Sequence, residues 1–162
     1  MLKLERLNLR PRYRNPVLVP KAADIRHFEK HFGIVLPTAF IEFLKHCNGG
    51  TSNGRIRLKA GRDVYGINDF YGLGPATEAR DDYNKGWDYG NLWDETHVLR
   101  PIIGEKCIPF ARDGGGNKFF LDCNSTPAAV GYWNASTRNQ KCLFKDFESF
   151  LNVVYLKSDD DE

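Results

Sequence analysis

Two histidines, His27 and His31, stand four residues apart, the spacing at which side chains share one face of a helix and together ligate a metal. The order is H-x-E-x-H, however, and Phe28 fills the place where a zinc peptidase carries its water-activating glutamate. The pattern therefore reads as two surface histidines. Arg112-Asp113-Gly114-Gly115-Gly116-Asn117 has the glycines of a phosphate loop but lacks the G-x-x-x-x-G-K-[ST] pattern. It also leads into strand-forming residues, so a hairpin turn accounts for it. Cys47 adjoins His46, yet neighbours on a helix point apart, and an apolar surrounding predicts an inert thiol. His97 follows Asp94 and Glu95 with no nucleophile motif beside it. Cys47, Cys107, Cys123 and Cys142 form no C-x-x-C pair. No catalytic residue, metal-ligand set or cofactor site emerges, and the expectation is a protein that is not an enzyme.

Recognition chemistry is concentrated elsewhere. Between Thr77 and His97, Tyr83, Trp87, Tyr89 and Trp93 are interleaved with Glu78, Asp81, Asp82, Asp88, Asp94 and Glu95. Aromatic rings give large, rigid contact area, and carboxylates complement a basic partner. Asp81, Asp82, Tyr83, Trp87, Asp88, Tyr89, Trp93, Asp94 and Glu95 are thus the candidate partner-binding residues. A second reading, in which the tryptophans cover a sheet, stays open.

The elements that must position this segment follow from periodicity. Ile25, Phe28 and Phe32 mark one helix, with Asp24 as N-cap and Gly33 as its stop. Leu36-Pro37-Thr38 restarts the chain, and Phe40, Ile41, Leu44 and Cys47 stripe a second helix that leaves through Asn48-Gly49-Gly50. Arg55–Lys59 and Val64–Phe70 read as a hairpin. Thr77 caps a short helix, and Val98–Ile103 reads as a further strand. Cys107–Ala111 and Lys118–Asp122 form a second hairpin, followed by Ala129–Trp133. Phe147, Phe150, Leu151 and Val154 complete a final helix capped by Asp146. The architecture is α+β: an antiparallel sheet of about five to six strands, flanked by the N-terminal helix pair and the C-terminal helix. Residues 1–20 are an extended basic arm with an edge strand around Val17–Val19, 21–157 one domain, and 158–162 an acidic tail.

A chain of 162 residues, 41% hydrophobic and 13% aromatic, carries enough apolar mass for one core. A net charge of +2 is too small to point to nucleic acid or a membrane surface as the main partner. The first ten residues have no apolar core of a signal peptide, so a cytoplasmic protein with reduced thiols is expected.

Three blocks carry a family resemblance. Glu29, Gly33, Ile34, Leu36 and Pro37 spell E-x-x-x-G-I-x-L-P, ahead of an apolar helix ending in Asn48, Gly49 and Gly50. Ile108-Pro109-Phe110-Ala111-Arg112 runs through the glycine-rich turn to Phe120-Leu121-Asp122, and F-x-x-F-L begins at Phe147. Over about residues 24–156 the chain resembles the SUKH superfamily, which includes bacterial immunity proteins and a fungal regulator of cell-wall assembly. The resemblance implies a non-enzymatic protein, monomeric or a weak homodimer. It would bind and neutralise a cognate toxin domain, nucleases being prominent among such toxins. The alternative it implies is a constitutive regulatory or scaffolding module.

Overall fold

The computed structural model describes residues 4–9, 19–74 and 91–158. Val17 and Leu18 of the expected edge strand, the Thr77 cap and the acidic residues after Ser158 lie outside these. Helices α1 (Ala22–Phe32) and α2 (Thr38–His46) precede a long hairpin of β1 (Gly50–Ala60) and β2 (Asp63–Phe70). Helix α3 (Leu92–Ile103) leads to β3 (Cys107–Arg112), β4 (Lys118–Asp122), β5 (Ala129–Trp133) and β6 (Gln140–Phe144). Helix α4 (Phe147–Val153) and the short β7 (Tyr155–Leu156) close the fold. The strands form one seven-stranded sheet in the order β6-β5-β4-β3-β2-β1-β7, antiparallel throughout. The fold is α+β, as expected, with more strands than the sequence revealed.

The joint between α1 and α2 follows from a few residues. Gly33 adopts φ 65°, the left-handed exit that a Cβ disfavours, and its N–H and that of Ile34 both return to the Glu29 carbonyl. The Glu29 carboxylate reaches forward and accepts the Leu36 N–H at 2.8 Å. Pro37, at φ −59°, is already set for a helix, and its carbonyl takes the N–H groups of Phe40 and Ile41. At the other end of α1, Asp24 acts from inside the first turn rather than as N-cap: its carboxylate accepts the Lys21 N–H at 2.8 Å.

Aromatic side chains from both ends of the chain meet in the core. Phe40 packs edge-on to Phe147 at 5.1 Å between ring centroids, and Phe110 meets Phe147 and Phe150 at 5.4 and 5.2 Å. Phe43 is buried as well, whereas Ile41 and Cys47 of the expected stripe are only half-buried. Asp146 caps α4 as expected, accepting the Ser149 N–H at 2.7 Å, and this contact lowers its carboxyl below the usual range. In the expected extended arm, residues 4–7 form a packed turn. Leu4 and Leu7 of a 3-10 turn enter the core, and Arg6 donates to the Leu151 carbonyl at 2.7 Å.

Val98–Ile103 is a correction: it is the second half of α3, not a strand. Leu92, Thr96, Leu99 and Ile103 are buried at i, i+4, i+7 and i+11, a helical period that Pro101 disguises in the sequence. Proline is tolerated here because it lies on the exposed face near the helix end. Strands β6 and β7 also went unread, since Gln-Lys-Cys has no apolar alternation and β7 has only two residues.

Leu36→Ala removes a buried side chain from this joint and is expected to cost about 2–5 kcal/mol. A urea titration reads this as a lower midpoint at an unchanged slope.

Candidate partner-binding surface

Only one end of the acidic and aromatic segment lies among the described residues. Asp81, Asp82, Tyr83, Trp87, Asp88 and Tyr89 lie outside them. At the described end Asn91 caps α3, its Oδ1 accepting the Asp94 N–H at 2.8 Å and its amide donating to the Asp94 carboxylate at 2.9 Å. Trp93, read as a surface contact, is 8% exposed. Its ring lies 5.1 Å from Phe28 and 5.5 Å from Phe32, against α1. Trp93 is therefore a core residue that fastens α3 to α1.

Glu95 is held by Lys118 at 3.2 Å, and the Lys118 ammonium also donates to the Tyr71 hydroxyl at 2.6 Å. Next to them, Arg112 Nε meets the buried Asp69 carboxylate at 2.6 Å across the β2–β3 pair. Burial, and then the charge of Glu95, push the Tyr71 phenol far above its usual range, so it stays a neutral acceptor. The Glu95–Lys118 pair binds α3 to the sheet.

Both ends of the segment are anchored at one place. The Asn48 side chain accepts the Leu73 N–H at 2.7 Å and donates to the Leu73 carbonyl at 2.9 Å, pairing with that residue as a backbone would. Leu92 N–H reaches the Gly72 carbonyl at 2.9 Å, and Gly72 and Asn91 form a parallel bridge. The described residues on either side of segment 75–90 are thus held next to one another.

The remaining motif residues are structural. Glu29, Gly33, Leu36 and Pro37 build the helix joint, and Gly49 takes φ 85° and Gly50 φ 151° on the way from α2 into β1. Pro109, Phe110 and Phe147 are buried, and Asp122 accepts the Asn124 N–H at 3.0 Å in the turn after β4. His27 and His31 are exposed, as expected. What the sequence did not reveal is that His97 joins them, 5.1 Å from His31 between ring centroids. His97 lies one helical turn after Trp93, which places it over α1. Among the described residues no such group is arranged to hold a metal ion.

A groove of about 960 Å³ also went unread, because remote segments build it. Arg26 and Lys30 of α1, the joint from Gly33 to Ala39, Lys106, the stretch from Cys123 to Ala128 and the start of α4 line it. Burial, with the Asp122 charge nearby, pushes the Cys107 thiol up to about 11. Burial also raises Cys123 to about 12, helped by Cys107, Asp122 and Glu29 and opposed by Lys106.

A family model for the SMI1/KNR4 family (SUKH-1) matches residues 20–153. No curated protein matches the chain.

Trp93→Ala is expected to destabilise the fold by about 3–5 kcal/mol, measured by denaturant unfolding. The thiolate is the species that alkylates, so at about pH 8 iodoacetamide should modify exposed Cys142 first. Buried Cys107 should react only as the chain unfolds, and half-buried Cys123, with its raised thiol, more slowly than Cys142, which peptide mass spectrometry resolves. Their raised values also fix a sign. The folded state holds these protons longer than the unfolded chain, so stability should fall as pH rises above the ordinary thiol range toward those values.

Proposed function

The chain belongs to the SMI1/KNR4 family (SUKH-1), and on that basis we propose that it is an immunity protein. It binds a cognate bacterial toxin domain and neutralises it by occupying its surface, without catalysis of its own. The observation that carries this reading is the pair of adjacent anchors, Asn48 on Leu73 and Leu92 on Gly72. They give segment 75–90 a fixed base, and that segment concentrates the carboxylates and aromatic rings. The family motifs support the same conclusion, since their residues serve the helix joint, the turns and the core. They mark a scaffold, and partner choice falls to other residues.

In this proposal Asp81, Asp82, Tyr83, Trp87, Asp88 and Tyr89 meet a basic active site, such as that of a nuclease. With a net charge of +2 for the whole chain, the acidic complementarity is local. Among the described residues no helix is long and apolar enough to cross a membrane, and we place the protein in the cytoplasm as a monomer or weak homodimer.

The test is capture of the product of the adjacent upstream gene by the purified protein, with rescue of cells expressing that product. One-to-one capture with rescue supports immunity. Capture of a host protein, with neither rescue nor binding of the neighbour, moves the reading to a regulatory module. Within a captured complex, Trp87→Ala should weaken binding by about 2 kcal/mol, roughly thirtyfold. Its thermal midpoint should stay that of the parent protein.

A further inference from the structure

We propose that Asn53 is a site of spontaneous covalent modification, where the chain converts its own asparagine through a succinimide to aspartyl and isoaspartyl linkages. The sequence holds two Asn-Gly pairs, Asn48-Gly49 and Asn53-Gly54. Glycine after asparagine favours this chemistry because no Cβ obstructs the approach of the attacking nitrogen. The Gly54 nitrogen bonds to the Asn53 Cγ and gives up its proton, the Cγ–Nδ2 bond breaks, and ammonia leaves. Water then opens the ring. Cleavage between Cγ and the Gly54 nitrogen gives an ordinary aspartate, and cleavage at the main-chain carbonyl routes the chain through Cγ as isoaspartate. Water is the only other reactant, and either product adds a negative charge.

The structure separates the two pairs. Asn48 is 1% exposed, and both ends of its amide are held by Leu73: Oδ1 accepts the Leu73 N–H at 2.7 Å, and Nδ2 donates to the Leu73 carbonyl at 2.9 Å. The nitrogen that would attack there is engaged as well, since Gly49 N–H donates to the Cys47 carbonyl at 2.8 Å. Ring closure at Asn48 has to break all three contacts. Asn53 is exposed and its side chain makes no hydrogen bond among the described residues, while its backbone N–H turns to Thr51 Oγ1 at 3.1 Å. Asn53 and Gly54 take φ 53° and 76° within a bulge of β1. Residues 52–55 of that bulge lie between the Thr51–Asp69 and Ile56–Ile67 pairs, with Asn68 of β2 opposite them. The turn can therefore open and bring nitrogen to Cγ without breaking a ladder pair. Arg57 Nη1 holds the Gly54 carbonyl, on the side of that residue away from the reacting nitrogen. The extra backbone atom of isoaspartate also falls where no ladder pair is lost.

The test ages the full-length folded chain in mildly alkaline buffer, beside a second sample in denaturing urea. Cleavage after Lys45 and Arg55 releases residues 46–55 with both asparagines, and fragmentation mass spectrometry of that peptide assigns the converted residue. A protein isoaspartyl methyltransferase, supplied with its methyl donor, measures isoaspartate independently. In the folded chain Asn53 should convert more than roughly tenfold faster than Asn48, whose three hydrogen bonds must first be released. In urea the two should convert at comparable rates. An Asn53→Gly variant, which keeps the positive φ without strain, should lose most of the methyltransferase signal of the folded chain. Comparable conversion of Asn48 in the folded chain, an Asn53 that stays intact there, or a signal undiminished in Asn53→Gly would each overturn the proposal.

Discussion

One carboxylate determines where the chain turns. Glu29 closes α1 through its carbonyl, which takes the N–H groups of Gly33 and Ile34, and through its side chain it takes the N–H of Leu36. Between these contacts burial alternates: Ile34 and Leu36 are buried and Val35 is exposed. The same geometry that buries two residues obliges the third to face water. An unpaired buried N–H would cost about 1–3 kcal/mol, and Pro37 removes one further donor at the point where α2 begins. Groove and joint are consequently one construction.

The second constraint is the seating of α3. Trp93 ties it to α1, Glu95 to Lys118 on β4, and Leu99 and Ile103 to Cys107, Phe120 and Trp133. Phe120 lies over Gly131 on the neighbouring strand, where any Cβ would collide with its ring. With α3 fixed on one side and Leu73 held by Asn48 on the other, the two anchors of segment 75–90 cannot drift apart independently.

Most of the scaffold was legible in the sequence because its signals are local. Gly33, Pro37, Asp146 and the 3.6-residue spacing of Phe28, Phe32, Phe147 and Phe150 each act within a turn or two of themselves. Where a local signal misled, it was contradicted by one residue: Pro101 hid the helical period of α3. Trp93 misled for another reason. Its acidic neighbours Asp94 and Glu95 imply an exposed surface, but on a helix adjacent residues face different ways. The groove and the convergence of His97 on His31 depend on elements distant in the chain, and neither composition nor periodicity encodes such meetings.

The most direct measurement is amide hydrogen exchange at Leu36 in the parent protein and in Glu29→Ala. If the carboxylate governs the joint, Leu36 exchanges slowly in the parent. In the variant it speeds up together with residues 33–39, while amides of β3 and β4 keep their protection. Fast exchange at Leu36 in the parent, or an unchanged rate in the variant, would contradict the account and separate the groove from the residue held to shape it.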